Sequence, residues 1–343
     1  MLMIEKDFAK NVAFRLITYL IFPIILSTTT AEIVLRVAGY KPWQIENVDV
    51  TVEPKGNFFT KDSELGYKHL PGNFKVTLNG NYSFNATHLN NSLRITHPLN
   101  TYNQSSKKPE IWILGCSFTY GWSLNDSETY AWLLQEKLPK YEIVNFGVNG
   151  YGTLHSLIQF KEALKQGNKP EIAVIAYAGF HDRRNTLLRA RRKQMAAWNK
   201  LGILFQPDAR LNGENNFTYS MAKLEYREFP LMRVSALSHF LEVNYNQFEE
   251  GLYRSHEVSK AIIEEFNRVA EANSVKLVVA GINAGSAKML QELSQQGIAT
   301  ADISVDLKIP ANNNLPHDLH PSAIANRQYA EKLEGFLQDT VLR

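Results

Sequence analysis

A serine sits in Gly115-Cys116-Ser117-Phe118-Thr119-Tyr120-Gly121, directly after the apolar run Ile111-Trp112-Ile113-Leu114. A small-residue turn leaving a buried strand is a place where a chain can expose a nucleophile. A serine of ordinary pKa is a poor nucleophile, however, and needs a base within hydrogen-bond reach and a third group to orient that base. Both types occur near the carboxyl end, in Leu315-Pro316-His317-Asp318-Leu319-His320-Pro321-Ser322, a proline-punctuated loop ahead of a helical pattern over 323–337. Ser117, His320 and Asp318 are therefore the candidate nucleophile, base and orienter of an acyl-transfer reaction. Two alternatives stay open. Cys116 could attack instead, since a thiolate is the better nucleophile, and His317 could replace a member of the Asp–His pair. Taken singly, Ser117 also fits a serine that caps a turn.

The Gly-x-Ser-x-Gly elbow of α/β-hydrolases is disfavoured, because position 119 is Thr and the Asp does not lie well upstream of the His. The chain instead resembles the SGNH/GDSL hydrolase family in four short blocks over roughly residues 111 to 340. These are Gly115-Cys116-Ser117-Phe118, Val144-Asn145-Phe146-Gly147-Val148-Asn149-Gly150, Gly179-Phe180-His181-Asp182 and Asp318-Leu319-His320-Pro321. The resemblance implies an oxyanion hole made by the N–H groups of Ser117 and Gly150 and by the side chain of His181. It also implies an α/β fold, a flavodoxin-like doubly wound parallel sheet. Three positions depart from the family pattern. Cys116 stands where Asp is usual, His181 stands where an Asn donates to the oxyanion, and His317 occupies the place three before His320 that commonly holds the Asp. An imidazole can donate at 181 only from the right tautomer or as the cation; a histidine paired with Asp182 is the structural alternative.

Two kinds of function follow. The first is a serine-dependent acyl-ester hydrolase or O-acyltransferase, esterase- or deacetylase-like, acting on an acylated envelope or extracellular glycan or lipid. The second, prompted by Cys116 and His181, is a catalytically silent module that binds a polysaccharide or a protein partner. A lipase-like enzyme with an opening cap is a variant of the first.

The 343 residues, 44% of them apolar, suffice for a substantial core, and a formal net charge of +3 gives no global case for nucleic acid. One cysteine excludes an intrachain disulfide framework, no Cys/His spacing suggests a metal, and no cofactor is implied. Charge is concentrated at Arg183, Arg184, Arg189, Arg191, Arg192 and Lys193, just past the third block. Arg183 and Arg184 are candidate substrate contacts, with a solvated helix face as the plainer reading.

The elements that must position these residues begin at 111. Short apolar runs at 111–114, 142–146, 171–177, 275–280 and 298–303 alternate with helical patterns at 128–138, 154–165, 256–272 and 286–296, the pattern of a parallel sheet with crossover helices. Right-handed crossovers would then put all four blocks at one sheet edge, with Ser117 at the switch point. The interval 183–255 is too long for a connection and reads as an inserted, largely helical cap. Residues 37–108, with Phe74–Leu78 ahead of an Asn79-Gly80 turn, read as short strands and hairpins in a β-rich accessory segment.

From Leu16 to Ala31 the chain is uncharged and apolar enough to approach a bilayer span, and Pro23 is tolerable in such a helix. The expected organisation is a signal anchor or transmembrane helix over 1–36, the accessory segment over 37–108, and the α/β domain over 109–343 with its insertion at about 183–255. A buried amphipathic helix is the alternative for the first segment. Lys6, Lys10 and Arg15 precede the span, which favours a single-pass cell-membrane protein with its catalytic bulk on the periplasmic or extracellular side.

Overall fold

Five short runs rich in Ile, Val and Ala form one parallel sheet in the computed structural model, which describes residues 14–44, 49–101, 108–198, 202, 205–213 and 216–342. The strands are β1 (Glu110–Leu114), β2 (Glu142–Asn145), β3 (Ile172–Tyr177), β4 (Lys276–Gly281) and β5 (Ala299–Asp302), in the order β2-β1-β3-β4-β5. Every pairing among them is parallel. This is the doubly wound order of the flavodoxin type, which reverses direction between β1 and β3.

Both faces of β1 are buried, and its side chains alternate between two cores. Ile111 and Ile113 pack with Tyr130 and Leu134 of α1 (Tyr130–Lys137) and with Tyr329 and Leu333 of α5 (Ala323–Phe336). Trp112 and Leu114 pack with Leu157 and Phe160 of α2 (Thr153–Lys165), Phe266 of α3 (Ser255–Ala272) and Met289 of α4 (Ala287–Gln295). A strand covered on both sides reads as a continuous apolar run, which is why the sequence locates it to within a residue.

The residues ahead of the sheet form an antiparallel three-stranded sheet of Val50–Glu53, Gly72–Leu78 and Tyr82–His88, and a ladder between Phe59–Asp62 and Gly66–His69. Asn79 and Gly80 both have positive φ, 49° and 70°, as the expected hairpin turn requires. Bridges from His88 to Arg94 and from Arg94 to Asn145 join this layer to the edge of the parallel sheet. Its core of Phe58, Phe74, Val76, Leu78 and Phe84 is completed by Tyr120 and Trp122, from the loop that follows Ser117.

The insertion is more mixed than its sequence suggests. Besides the helices His181–Asn185, Arg189–Trp198 and Ala236–Leu252 it contains an antiparallel hairpin, Phe205–Leu211 with Phe217–Lys223. One face of the hairpin packs through Ala209, Leu211 and Phe217 into the core shared by α2 and α3. Alternating burial is weak along both strands, and Pro207 interrupts the first, so no period-2 signal announces them.

The chain divides into a smaller unit, 1–46 with 226–249, and a larger one of 47–225 and 250–343. In the smaller unit a helix runs Phe14–Val37, 24 residues that include an 18-residue stretch with a mean hydropathy of 1.7 and no burial, long and apolar enough to cross a membrane. It runs past the uncharged stretch Leu16–Ala31 through Glu32 and Arg36, which pair at 2.6 Å one turn apart, and ends one residue beyond the expected boundary at 36. Pro23 lies within it, two residues after a short π-helical stretch, Ile17–Ile21. Lys6 and Lys10, on which the orientation argument partly rests, lie outside the described residues.

Candidate active site

The chain leaves β1 through extended Cys116 and turns at once into a single helical turn, Ser117–Tyr120, closed by Gly121 in the left-handed region. The Cys116 side chain points into the core shared by Ile113, Tyr130 and Tyr329, with no exposure, so it is a packed small residue and not the nucleophile. Ser117 points the other way. His320 Nε2 lies 2.8 Å from Ser117 Oγ, and His320 Nδ1 is hydrogen-bonded to Asp318 Oδ1.

The Asp318–Pro321 strand pairs with Asn313–Asn314, and Ser322 caps α5, its hydroxyl accepting from Ala325 N–H. Asp318 Oδ1 also accepts the His320 backbone N–H at 2.7 Å, and Oδ2 accepts the Trp122 indole N–H at 2.8 Å. Burial pushes the Asp318 carboxyl up, but the bonds and charge of His320 and the Trp122 bond outweigh it and hold the group below 3.8. Asp318 is thus ionised and oriented at neutral pH. The two-residue Asp-x-His spacing is sufficient here, and His317 is not a member of the set, because its ring stacks on Tyr82 at 4.7 Å.

Gly150 ends the second block with φ of +83°, and a Cβ there would lie 2.5 Å from the Tyr67 hydroxyl, so the position needs glycine. Its flanking peptides are pinned. Tyr67 Oη donates to Asn149 O at 2.6 Å, and Arg191 Nη2 donates to Gly150 O at 2.5 Å. Because a trans peptide sets C=O and N–H on opposite sides, fixing the Asn149 carbonyl also fixes the direction of the Gly150 N–H. The loop is tied to the serine turn by Val148 N–H to Gly115 O at 3.2 Å and by Asn145 Nδ2 to Thr119 O at 3.0 Å.

His181 begins the short helix after β3 and is 1% exposed. Its Nδ1 lies 3.5 Å from both Ala178 N and Thr153 Oγ1, while its Nε2 is buried without a partner in the described structure. An Nδ1 that accepts the Ala178 N–H leaves the proton on Nε2. Burial, then the charges of Arg184, His155 and Arg191, hold the ring well below 6.5, so it is neutral and not an imidazolium. It does not pair with Asp182, whose oxygens go to Tyr177 Oη at 2.6 Å and His256 Nδ1 at 3.2 Å.

Arg183 and Arg184 line a cavity of about 400 Å³ with Phe180, Ala190 and Gln194. The Arg184 guanidinium lies 4.3 Å over the Phe180 ring, and Phe180 meets Phe118, which in turn meets the His320 ring, at 5.6 Å in each case. The cavity therefore borders the triad through two phenyl rings. Arg183 is also paired with Glu250 at 3.3 Å, and Arg184 donates to Tyr151 O at 2.9 Å.

Three supporting residues carry no local signal in the sequence, Arg94, Trp122 and Tyr67, and a fourth, Arg191, shows there only as one member of a charged run. Arg94, 1% exposed, donates to the carbonyls of Tyr120, Gly121, Leu124 and Asn85 and pairs with Asp126 at 2.8 Å. It organises the loop that follows the serine. No cluster of His, Cys, Asp or Glu able to hold a metal occurs among the described residues.

A doubly wound parallel sheet with a hydrogen-bonded Ser–His–Asp set at its carboxyl edge is the arrangement of serine hydrolases with a flavodoxin-like core. No protein-family model matches the chain, and no curated protein matches it. Among solved structures it is similar to the psychrotrophic esterase EstA from Pseudoalteromonas sp., at 11% identity and a TM-score of 0.39, covering 69% of this chain and 100% of that one. It is similar to a member of the lipolytic G-D-S-L family from Veillonella parvula at 11% identity and a TM-score of 0.37, covering 68% and 98%. A GDSL-like lipase from Bacteroides thetaiotaomicron is similar at 12% identity and a TM-score of 0.36, covering 71% and 93%. At these identities and scores the chemistry rests on the site geometry alone.

Proposed function

We propose that the protein is a serine-dependent acyl-ester hydrolase or O-acyltransferase of SGNH type that works on an acylated envelope glycan or lipid, with Phe14–Val37 as its membrane anchor. The observation that carries the reading is the continuous chain of hydrogen bonds from Ser117 Oγ to His320 Nε2 and from His320 Nδ1 to Asp318. His320 takes the Ser117 proton as the oxygen attacks the ester carbonyl, and ionised Asp318 stabilises the imidazolium that forms. The alkoxy leaving group takes that proton as the C–O bond breaks, leaving an acyl-serine. Water or a second hydroxyl, deprotonated by His320, then accepts the acyl group and restores Ser117.

In this reading the N–H groups of Ser117 and Gly150 and the Nε2–H of His181 receive the tetrahedral oxyanion. A neutral Nε2–H imidazole does the work of the family's Asn amide. Arg183 and Arg184 bind the substrate beside the Phe118–Phe180 pair, and the catalytic bulk lies on the periplasmic or extracellular side.

Labelling by a fluorophosphonate probe tests this without knowledge of the substrate. The folded wild type should label, while Ser117→Ala and His320→Ala, each shown to be folded, should lose labelling by about 10⁴-fold or more. A folded wild type that fails to label would favour a silent module that binds a polysaccharide or a protein.

A further inference from the structure

The helix Ala236–Leu252 is amphipathic the wrong way round for a helix in water. Its buried positions include Glu242 and Asn246, and Glu242 Oε1 accepts from Tyr226 Oη at 3.1 Å. Leu241, Tyr245, Phe248 and Leu252, which recur every three or four residues and so share one face, are all exposed, Phe248 to 65%. A globular surface helix turns its apolar stripe inward. This one presents it outward, and Leu231 and Val234 add two more exposed apolar side chains just ahead of the helix.

The start of this helix is locked to the carboxyl-terminal end of Phe14–Val37. Glu32 accepts from the N–H groups of Ala236 and Leu237 at 2.9 and 2.8 Å and from Ser235 Oγ at 2.7 Å, so a carboxylate from one helix caps the first turn of the other. Arg36 Nη2 donates to Val234 O at 2.7 Å, Trp43 N–H donates to Met232 O at 2.8 Å, and His239 Nδ1 meets Lys41 O at 2.8 Å. Tyr40 packs edge-on against Phe240, and the Arg233 guanidinium lies 5.0 Å over the Trp43 ring. Trp, Tyr and cationic side chains collected at one end of an apolar helix are the composition of a headgroup layer.

We infer that the helix Ala236–Leu252 lies in the membrane interface, with its Leu241–Tyr245–Phe248–Leu252 stripe in lipid beside the end of the Phe14–Val37 span. The inference rests on the reading of Phe14–Val37 as a membrane span. The occupant is lipid because the helix that carries the stripe is fastened at its start to the end of the span by Glu32, Arg36 and Trp43. The span and the interfacial helix then form an L-shaped anchor, which contacts the bilayer with far more apolar area than a single crossing helix.

The test uses the full chain, carrying Cys116→Ala, in vesicles of phosphatidylethanolamine and phosphatidylglycerol. Single cysteines are introduced by Tyr245→Cys and Phe248→Cys in the stripe, Gln247→Cys beside it and Ile25→Cys in the span, and each bears an environment-sensitive fluorophore. The expected result is quenching of the 25, 245 and 248 labels by lipid-borne nitroxides and loss of their quenching by an aqueous nickel chelate, with the reverse at 247. Water-accessible 245 and 248 labels beside a lipid-protected 25 label would overturn the inference and leave the span standing. A water-accessible 25 label would remove the span and the inference together. Stripe labels shielded from both quenchers would mean that protein covers the face, which also overturns it.

Discussion

Two loops meet at Ser117, each fastened by a buried arginine, and the arginines are treated differently. Arg94, below the serine loop, is paired with Asp126 and saturated by four carbonyls, so its charge is neutralised where it lies. Arg191, at the Gly150 loop, bonds Gly150 O and Gln194 Oε1, and no carboxylate pairs with it among the described residues. Burial, then the charge of Arg184, pulls its pKa down to about 9. One arginine fastens the turn that carries Ser117. The other leaves an uncompensated positive field on the side where the proposed mechanism develops negative charge, which is the sign that electrostatic catalysis requires.

The largest expected effect comes from the neutralised arginine. Arg94→Met strands Asp126 and four carbonyls, and should cost about 3–5 kcal/mol in a denaturant melt. Asp126→Asn, which keeps an acceptor, should cost less, and equal losses would mean that the charge pairing is incidental.

His181 comes next. His181→Ala should lower kcat by a factor corresponding to about 3 kcal/mol, and His181→Asn should restore most of it if the residue donates from a neutral Nε2–H. Its folded pKa is depressed, so the unfolded chain binds the extra proton first. The native state therefore loses stability as pH falls below 6.5. Acid melts of His181→Asn should be flatter below that pH, and a wild-type pH–rate profile with a second ionisation assignable to His181 would contradict a neutral donor.

A smaller effect is expected at Trp122. Trp122→Phe removes one hydrogen bond to the Asp318 carboxylate, worth about 2 kcal/mol, and should raise the Asp318 pKa. Because that pKa is lowered in the fold, its stabilisation is present above 3.8 and is lost as pH falls through the folded value. The variant should lose it at a higher pH than wild type, read from acid melts.

Smallest is Arg191→Met, expected to leave Tm level or higher while lowering kcat about tenfold, since an unpaired buried charge is removed along with the Gly150 clamp. A fall in Tm to match Arg94→Met would erase the distinction between the two arginines.

What was legible in the sequence follows the same division. The three central strands β1, β3 and β4 bury both faces, so their apolar runs are nearly continuous, and all five strands begin and end within a residue or two of the expected place. Ser117, Asp318 and His320 were visible as residue types in loops, and the fold brings all three into hydrogen-bond contact. The clamps were not visible, because a polar residue's type does not say which carbonyl, up to 82 positions away, it will meet. Arg94 to Tyr120 and Tyr67 to Asn149 exist only once the accessory strands have docked. The outward stripe of Ala236–Leu252 has ordinary helical periodicity, and only burial distinguishes which way it faces.

The shared core of Tyr120 and Trp122 with Phe58, Phe74 and Phe84 bears on how the chain is made as well as on how it works. Residues 50–88 leave the ribosome first, yet their apolar face is finished by side chains that arrive some thirty positions later, so they wait for the serine loop before they can close. One hydrophobic core thus straddles the seam between the β-rich segment and the parallel sheet. Any deletion, permutation or graft that parts residue 94 from residue 126 separates Ser117 from the residues that fasten its turn.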